Sequence, residues 1–121
     1  MTRRLFVYGS LLRGEPAHRL LAGARFVAAA ETAPGFELVD LGEYPGLLRG
    51  GSGSVQGEVY AVPAELVPEL DRYEDHPELF TRTEIALADG SRAEAYLVSE
   101  GLARGRPRVA SGSWKARGAG R

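Results

Sequence analysis

The sequence predicts an α+β fold: a small mixed or antiparallel β-barrel of about six strands with one or two flanking helices. Three observations predict it. About six short segments read as strands, some as continuous apolar runs and others as apolar–polar alternation, each bounded by Gly or Pro turn chemistry. Helical periodicity occurs once clearly, after Pro63, and once briefly, after Pro16, which is not a regular βαβ alternation. Finally, 121 residues suffice for one core and would leave two cores too small.

Taken in order, Leu5, Phe6, Val7 and Tyr8 form an apolar run that ends in Gly9, a buried first strand delivered into a glycine turn. Pro16 opens a short helix through His18, Leu20 and Leu21 that Gly23 stops. Residues 24–32 are extended up to the Pro34-Gly35 turn, and 36–41 form a further strand before Gly42. Glu43-Tyr44-Pro45-Gly46 is turn chemistry. Gly50-Gly51-Ser52-Gly53 reads as a hairpin loop between two strands rather than a phosphate cradle, since no helix starts after it and no Lys follows. Val55, Gly57, Val59 and Ala61 alternate with Gln56, Glu58 and Tyr60, the period of a half-buried strand. Pro63 opens a helix that runs to about Tyr73 or Asp75. Residues 80–87 and 92–99 are two strands joined by the hairpin signal Ala88-Asp89-Gly90-Ser91. There is no internal repeat.

Hydrophobic residues at 44% and charged residues at 26% sit near the soluble globular average, which excludes the disordered and membrane classes on composition. The apolar stretch behind Arg3 and Arg4 is broken by Arg13-Gly14-Glu15-Pro16 and lacks a cleavage site, and no run reaches the ~18 residues of a spanning helix. A cytoplasmic protein with no membrane partner is the expectation. Cysteine is absent, which removes disulfides, thiolate metal sites and Cys nucleophiles. His18 and His76 stand in no ligand spacing and read as capping or surface groups, so no metal is expected.

Residues 101–121 carry six cations and no acid, leaving 9 cations against 16 acids, a net −7, over residues 1–100. The segment lacks interleaved aromatics, so a nucleic-acid partner is not expected; residues 1–115 read as the domain and 116–121 as a basic, flexible end. Trp114 reads as a packing anchor for this end.

With Leu66 at zero and about 100° per residue, Leu70 falls near 40°, Tyr73 near −20° and Val67 near 100°, which defines the packed face of the late helix. Glu74 falls near 80°, inside that face, whereas Glu65, Glu69, Arg72 and Asp75 fall outside it. A carboxyl against apolar surface acquires a raised pKa, the specification of a general acid/base. The alternative is a helix-end Glu that turns to solvent or pairs with Arg72 or Arg82. Arg82 itself reads either as a structural partner for a nearby acid or as a neighbour that keeps Glu74 ionised. Tyr8-Gly9-Ser10-Leu11 is the second candidate, because glycine permits close approach and successive N–H groups can form an anion-binding nest. An ordinary turn after a strand is its alternative.

Tyr8-Gly9-Ser10-Leu11 after the first strand and Leu70-Asp71-Arg72-Tyr73-Glu74 at the end of the late helix resemble the gamma-glutamylcyclotransferase-like family, in particular its gamma-glutamylamine cyclotransferase branch. Arg13-Gly14 with His18 and Leu20-Leu21, the Tyr44-Pro45 pair, Val55-Gln56-Gly57-Glu58-Val59-Tyr60, and Gly112 with Trp114 extend the resemblance over roughly residues 4 to 115. Asp75 departs from the family's usual Gly, Phe80 from Tyr, Ala17 from Asn and Ser113 from Asp.

The resemblance implies a barrel with flanking helices whose cavity holds a γ-glutamyl group, and an activity that releases 5-oxoproline and a free amine. It implies Glu74 as catalytic acid/base and Tyr8, Gly9, Ser10 and Leu11 as substrate-binding residues, the N–H groups of the turn holding the α-carboxylate or the developing oxyanion. It implies a small-molecule γ-glutamyl substrate, no cofactor and no metal, in a monomer or weak dimer. The alternative function is a non-catalytic small-molecule binding protein that uses the same cavity.

Overall fold

A computed structural model describes residues 1–117. Seven strands form one mixed sheet: β1 (Thr2–Val7), β2 (Arg25–Glu31), β3 (Phe36–Asp40), β4 (Pro45–Arg49), β5 (Gln56–Pro63), β6 (Phe80–Ala86) and β7 (Arg92–Val98). A 3-10 helix occupies Pro16–Leu21, a second 3-10 turn at Ala64–Leu66 leads into α1 (Val67–Tyr73), and α2 spans Glu100–Ala103. The α+β class and barrel-like layout agree with the sequence, although the strand order β2-β5-β1-β7-β4-β3 is an open path with β6 added on β7.

The additional strand is β4. Pro45 and Gly46 lie inside it, not in a free turn, because Pro45 to Arg49 pair in antiparallel register with Asp40 to Phe36. Pro is tolerated there as the first strand residue. β4 pairs with β3 and β7, whereas β5 pairs with β1 and β2, so Gly50–Gly53 crosses between separate parts of the sheet and is not a hairpin loop. The hairpin expected at residues 88–91 is present: β6 and β7 pair from Phe80↔Val98 to Ala86↔Arg92, and Asp89 accepts from the Ser91 amide at 2.9 Å.

The pairing of β7 creates the site. Its one edge is covered by β6 along the full length. Its other edge is shared: β1 joins in parallel at Leu5↔Glu94 and β4 in parallel at Leu47↔Leu97. The end of β1 therefore runs into the start of β4 and must leave the sheet. A Cβ built on Gly9 would fall 2.6 Å from Pro45 Cδ, so only glycine allows that approach.

The core is continuous, with Phe6, Leu38, Leu47, Leu70, Ile85 and Trp114 each under 3% exposed. Trp114 is thus the anchor expected near the C-terminus. Leu70 and Val67 are the buried face of α1, and complete burial of one Leu side chain contributes roughly 1.5–3 kcal/mol. Ala116 and Arg117 turn back on Ser113 and Trp114, with the Arg117 guanidinium 4.0 Å from the indole centroid, where the sequence predicts a flexible end. The rest of that end, residues 118–121, lies outside the described residues. No described helix is long and apolar enough to cross a membrane.

Candidate active site

A cavity of about 180 Å³ opens where β1 leaves the sheet. The Tyr8–Leu11 turn forms one wall, Tyr73, Glu74 and Asp75 at the end of α1 form another, and Tyr96 of β7 lies between. The structure therefore brings together both segments singled out in the sequence, although they stand more than sixty residues apart.

Glu74 is the C-cap of α1, its N–H donating to the Leu70 carbonyl at 3.0 Å. As the helical period predicts, it is part-buried in the cavity wall while Glu65, Glu69, Arg72 and Asp75 are exposed. No ion pair among the described residues involves it. Burial, and secondarily the negative charge of Asp75, push its carboxyl up to about 7. Asp75 takes φ 53°, a left-handed conformation that Asp tolerates better than most residues, and so ends the helix as glycine commonly does. The departure from Gly keeps the backbone bend and adds a charge beside Glu74.

Arg82 is the structural partner of other acids, not of Glu74. Its guanidinium forks onto Asp71 through two 3.0 Å bonds and reaches Glu94 at 2.9 Å, and Arg3 holds the other face of Glu94. The Arg82 bonds hold the Asp71 carboxyl below the usual carboxylate range. Ionised Asp71 then accepts from the Tyr96 hydroxyl at 2.7 Å. Tyr96, in turn, offers its main-chain carbonyl to the Tyr8 hydroxyl at 2.5 Å. Tyr8 is 7% exposed, and its phenol is pushed up by burial and by the nearby Glu74 charge. Its ring lines the cavity while its hydroxyl is spent on the sheet.

The turn itself presents donors. Among the described residues the N–H groups of Gly9, Ser10 and Leu11 donate to no protein acceptor. Their carbonyls are all engaged: Gly9 accepts from Leu12 N at 3.0 Å, Ser10 from Ala17 N at 3.1 Å and Leu11 from His18 Nδ1 at 2.9 Å. Gly9 lies outside the left-handed region, so its role is the close approach to Pro45 rather than an unusual φ. An ionisable carboxyl poised near neutrality and a turn with unpaired amides, lining one small cavity, can move a proton next to a developing negative charge.

Sequence reasoning did not reach Tyr96, the role of Asp71 or the place of Tyr73. The wheel assigns Tyr73 to the packed face, yet it is 45% exposed and its hydroxyl donates to Ser10 Oγ at 3.1 Å. It lines the cavity at the end of α1. Tyr96 lies in a strand whose last four residues are buried on both faces, and no alternation marks it.

A family model described as gamma-glutamyl cyclotransferase, AIG2-like, matches residues 5–116. A putative gamma-glutamylcyclotransferase of Vibrio cholerae is 40% identical over 100 residues, covering 83% of this chain and 85% of that protein. The human gamma-glutamylaminecyclotransferase is 44% identical over 88 residues; the match covers 65% of this chain and 58% of the human protein, less than two thirds of its length. Among solved structures, a uropathogenic E. coli-specific protein superposes with a TM-score of 0.85 at 28% identity, covering 95% of this chain and 94% of that one.

Proposed function

The chain belongs to the gamma-glutamyl cyclotransferase, AIG2-like family and is an enzyme of that type, and on this premise we propose that it cyclises a γ-glutamyl amine or related amide to 5-oxoproline and a free amine, with Glu74 as general acid/base. The observation that carries the reading is Glu74 itself: a carboxyl without an ion pair, pushed up to about 7, in a cavity also lined by the turn with the unpaired amides of Gly9, Ser10 and Leu11.

The substrate's α-ammonium first loses a proton to solvent, which leaves the free amine. Its nitrogen then attacks the γ-carbonyl carbon of the same molecule, and a five-membered ring closes. Ionised Glu74 takes the proton released by the attacking nitrogen. The negative charge that develops on the γ-oxygen, or the resident charge of the α-carboxylate, meets the fixed N–H donors of the turn. The bond from the γ-carbon to the leaving nitrogen breaks as Glu74 returns the proton to it, so one carboxyl serves both transfers. Nucleophile and electrophile are already in one molecule, so the protein's contribution is to hold a near-attack conformer and exclude water. The rings of Tyr8, Tyr96 and Phe80 line the cavity and suit that exclusion.

A cytoplasmic protein, monomeric or weakly dimeric, with no nucleic-acid partner, completes the proposal. The absence of cysteine in all 121 residues is in keeping with that compartment. Mass-spectrometric detection of 5-oxoproline after incubation with a panel of γ-glutamyl amines and dipeptides tests it. Release is expected from the wild type and not from Glu74→Gln. Binding of panel compounds by a folded wild type with no product would favour the non-catalytic alternative, and equal turnover by both proteins would remove Glu74 from the chemistry.

A further inference from the structure

We infer that His18 is a positioning residue that aims the Ser10 amide into the cavity by holding the Leu11 carbonyl; this rests on the role proposed above for the turn. Two hydrogen bonds and two shared peptide planes connect them. His18 Nδ1 lies 2.9 Å from the Leu11 oxygen. A carbonyl oxygen can only accept, so Nδ1 carries the hydrogen. The Leu11 carbonyl belongs to the same planar peptide unit as the Leu12 N–H, so fixing the oxygen fixes that amide. The Leu12 N–H donates to the Gly9 carbonyl at 3.0 Å. The Gly9 carbonyl, finally, shares its peptide unit with the Ser10 N–H and points the opposite way. One imidazole thus orients two peptide planes, the second of which carries a free donor on the cavity wall.

The Ser10 carbonyl is held by backbone alone: Ala17 N donates to it at 3.1 Å, which orients the Leu11 N–H. Only the Leu11 carbonyl depends on a side chain. The His18 ring is in turn seated against Tyr60, with centroids 5.7 Å apart. Tyr60 donates to Glu58 at 3.0 Å, and the same carboxylate oxygen accepts from the Arg13 amide at 3.0 Å, so the far end of the turn is tied to the strand that seats the imidazole. His18 is part-buried and is not among the cavity-lining residues. It acts through the backbone and not on substrate.

Two substitutions separate the donor from the ring. His18→Asn keeps a side-chain N–H near the Nδ1 position and loses the contact with Tyr60; His18→Phe keeps an aromatic ring and loses the donor. A positioning role predicts that kcat falls about tenfold or more in His18→Phe with little change in KM, and that His18→Asn recovers most of it, since the donor matters most when charge develops. A packing role predicts the reverse order, and the reverse order or equal activities would overturn the inference. Hydrogen exchange of the Leu12 amide provides a readout independent of turnover: faster exchange is expected in His18→Phe than in His18→Asn. If the wild type releases no 5-oxoproline, the proposed reaction fails, and the Leu12 exchange alone then decides the inference, with equal protection in the two variants refuting it.

Discussion

The Tyr73 hydroxyl donates to Ser10 Oγ over 3.1 Å, tying the residue before Glu74 to the middle of the amide turn. The two segments come from opposite halves of the chain, and this bond joins them in the lining of the cavity. Because Tyr73 is 45% exposed, its contribution to stability is small.

Tyr73→Phe should therefore change unfolding free energy by less than about 1 kcal/mol, while kcat/KM falls several-fold as the two cavity walls lose this tie. Paired denaturant melts and steady-state rates check this. A rate unchanged from wild type would mean that the bond does not order the site.

Glu74→Gln should abolish turnover and at the same time stabilise the protein above neutral pH. The folded-state pKa of Glu74 lies above the ordinary carboxylate value, so the folded protein binds more protons than the unfolded chain between about 4.5 and 7. Stability from this group is full at acid pH and is lost as pH rises through about 7. Removing the charge should raise unfolding free energy by about 2–3 kcal/mol at pH 8, with the gain disappearing near pH 4. Urea melts at the two pH values decide it.

The pH profile of kcat/KM should rise through about pH 7, since Glu74 must be ionised to accept a proton. Asp75→Asn removes the second cause of the raised value and retains a residue that tolerates the left-handed backbone. Its profile should shift to lower pH. A midpoint that stays in place would assign the whole shift to burial.

Gly9→Ala should destabilise by roughly 1–3 kcal/mol through overpacking and lower kcat more than the lost stability explains. The added methyl meets Pro45, and the turn carrying the amides has to move away from it. Shortening the obstacle with Pro45→Ala in the same chain should restore part of both, as measured by melting and turnover of the double variant.

Part of this site was legible in the chain. Glu74 emerges from the period of one helix because a carboxyl on a packed face is set by local geometry, and the exposed positions of Glu65, Glu69, Arg72 and Asp75 follow from the same period. The strand-to-glycine step at Tyr8-Gly9 and the hairpin at Ala88–Ser91 are also local, as each depends on a few consecutive dihedral angles. Tyr73 eluded the same wheel, since the wheel records direction and not whether anything stands in that direction.

The amino-acid sequence by itself thus marked Glu74 and the Gly9–Leu11 turn as candidates and located the segments that carry them. Only the tertiary structure decided that they line one cavity, that Arg82 serves Asp71 and Glu94 instead of Glu74, and that Pro45–Arg49 is a strand. The reason is physical. Period and turn propensity act over a few residues, whereas the sharing of one β7 edge by β1 and β4, which opens the cavity, is a pairing between strands far apart in the chain that no local pattern encodes.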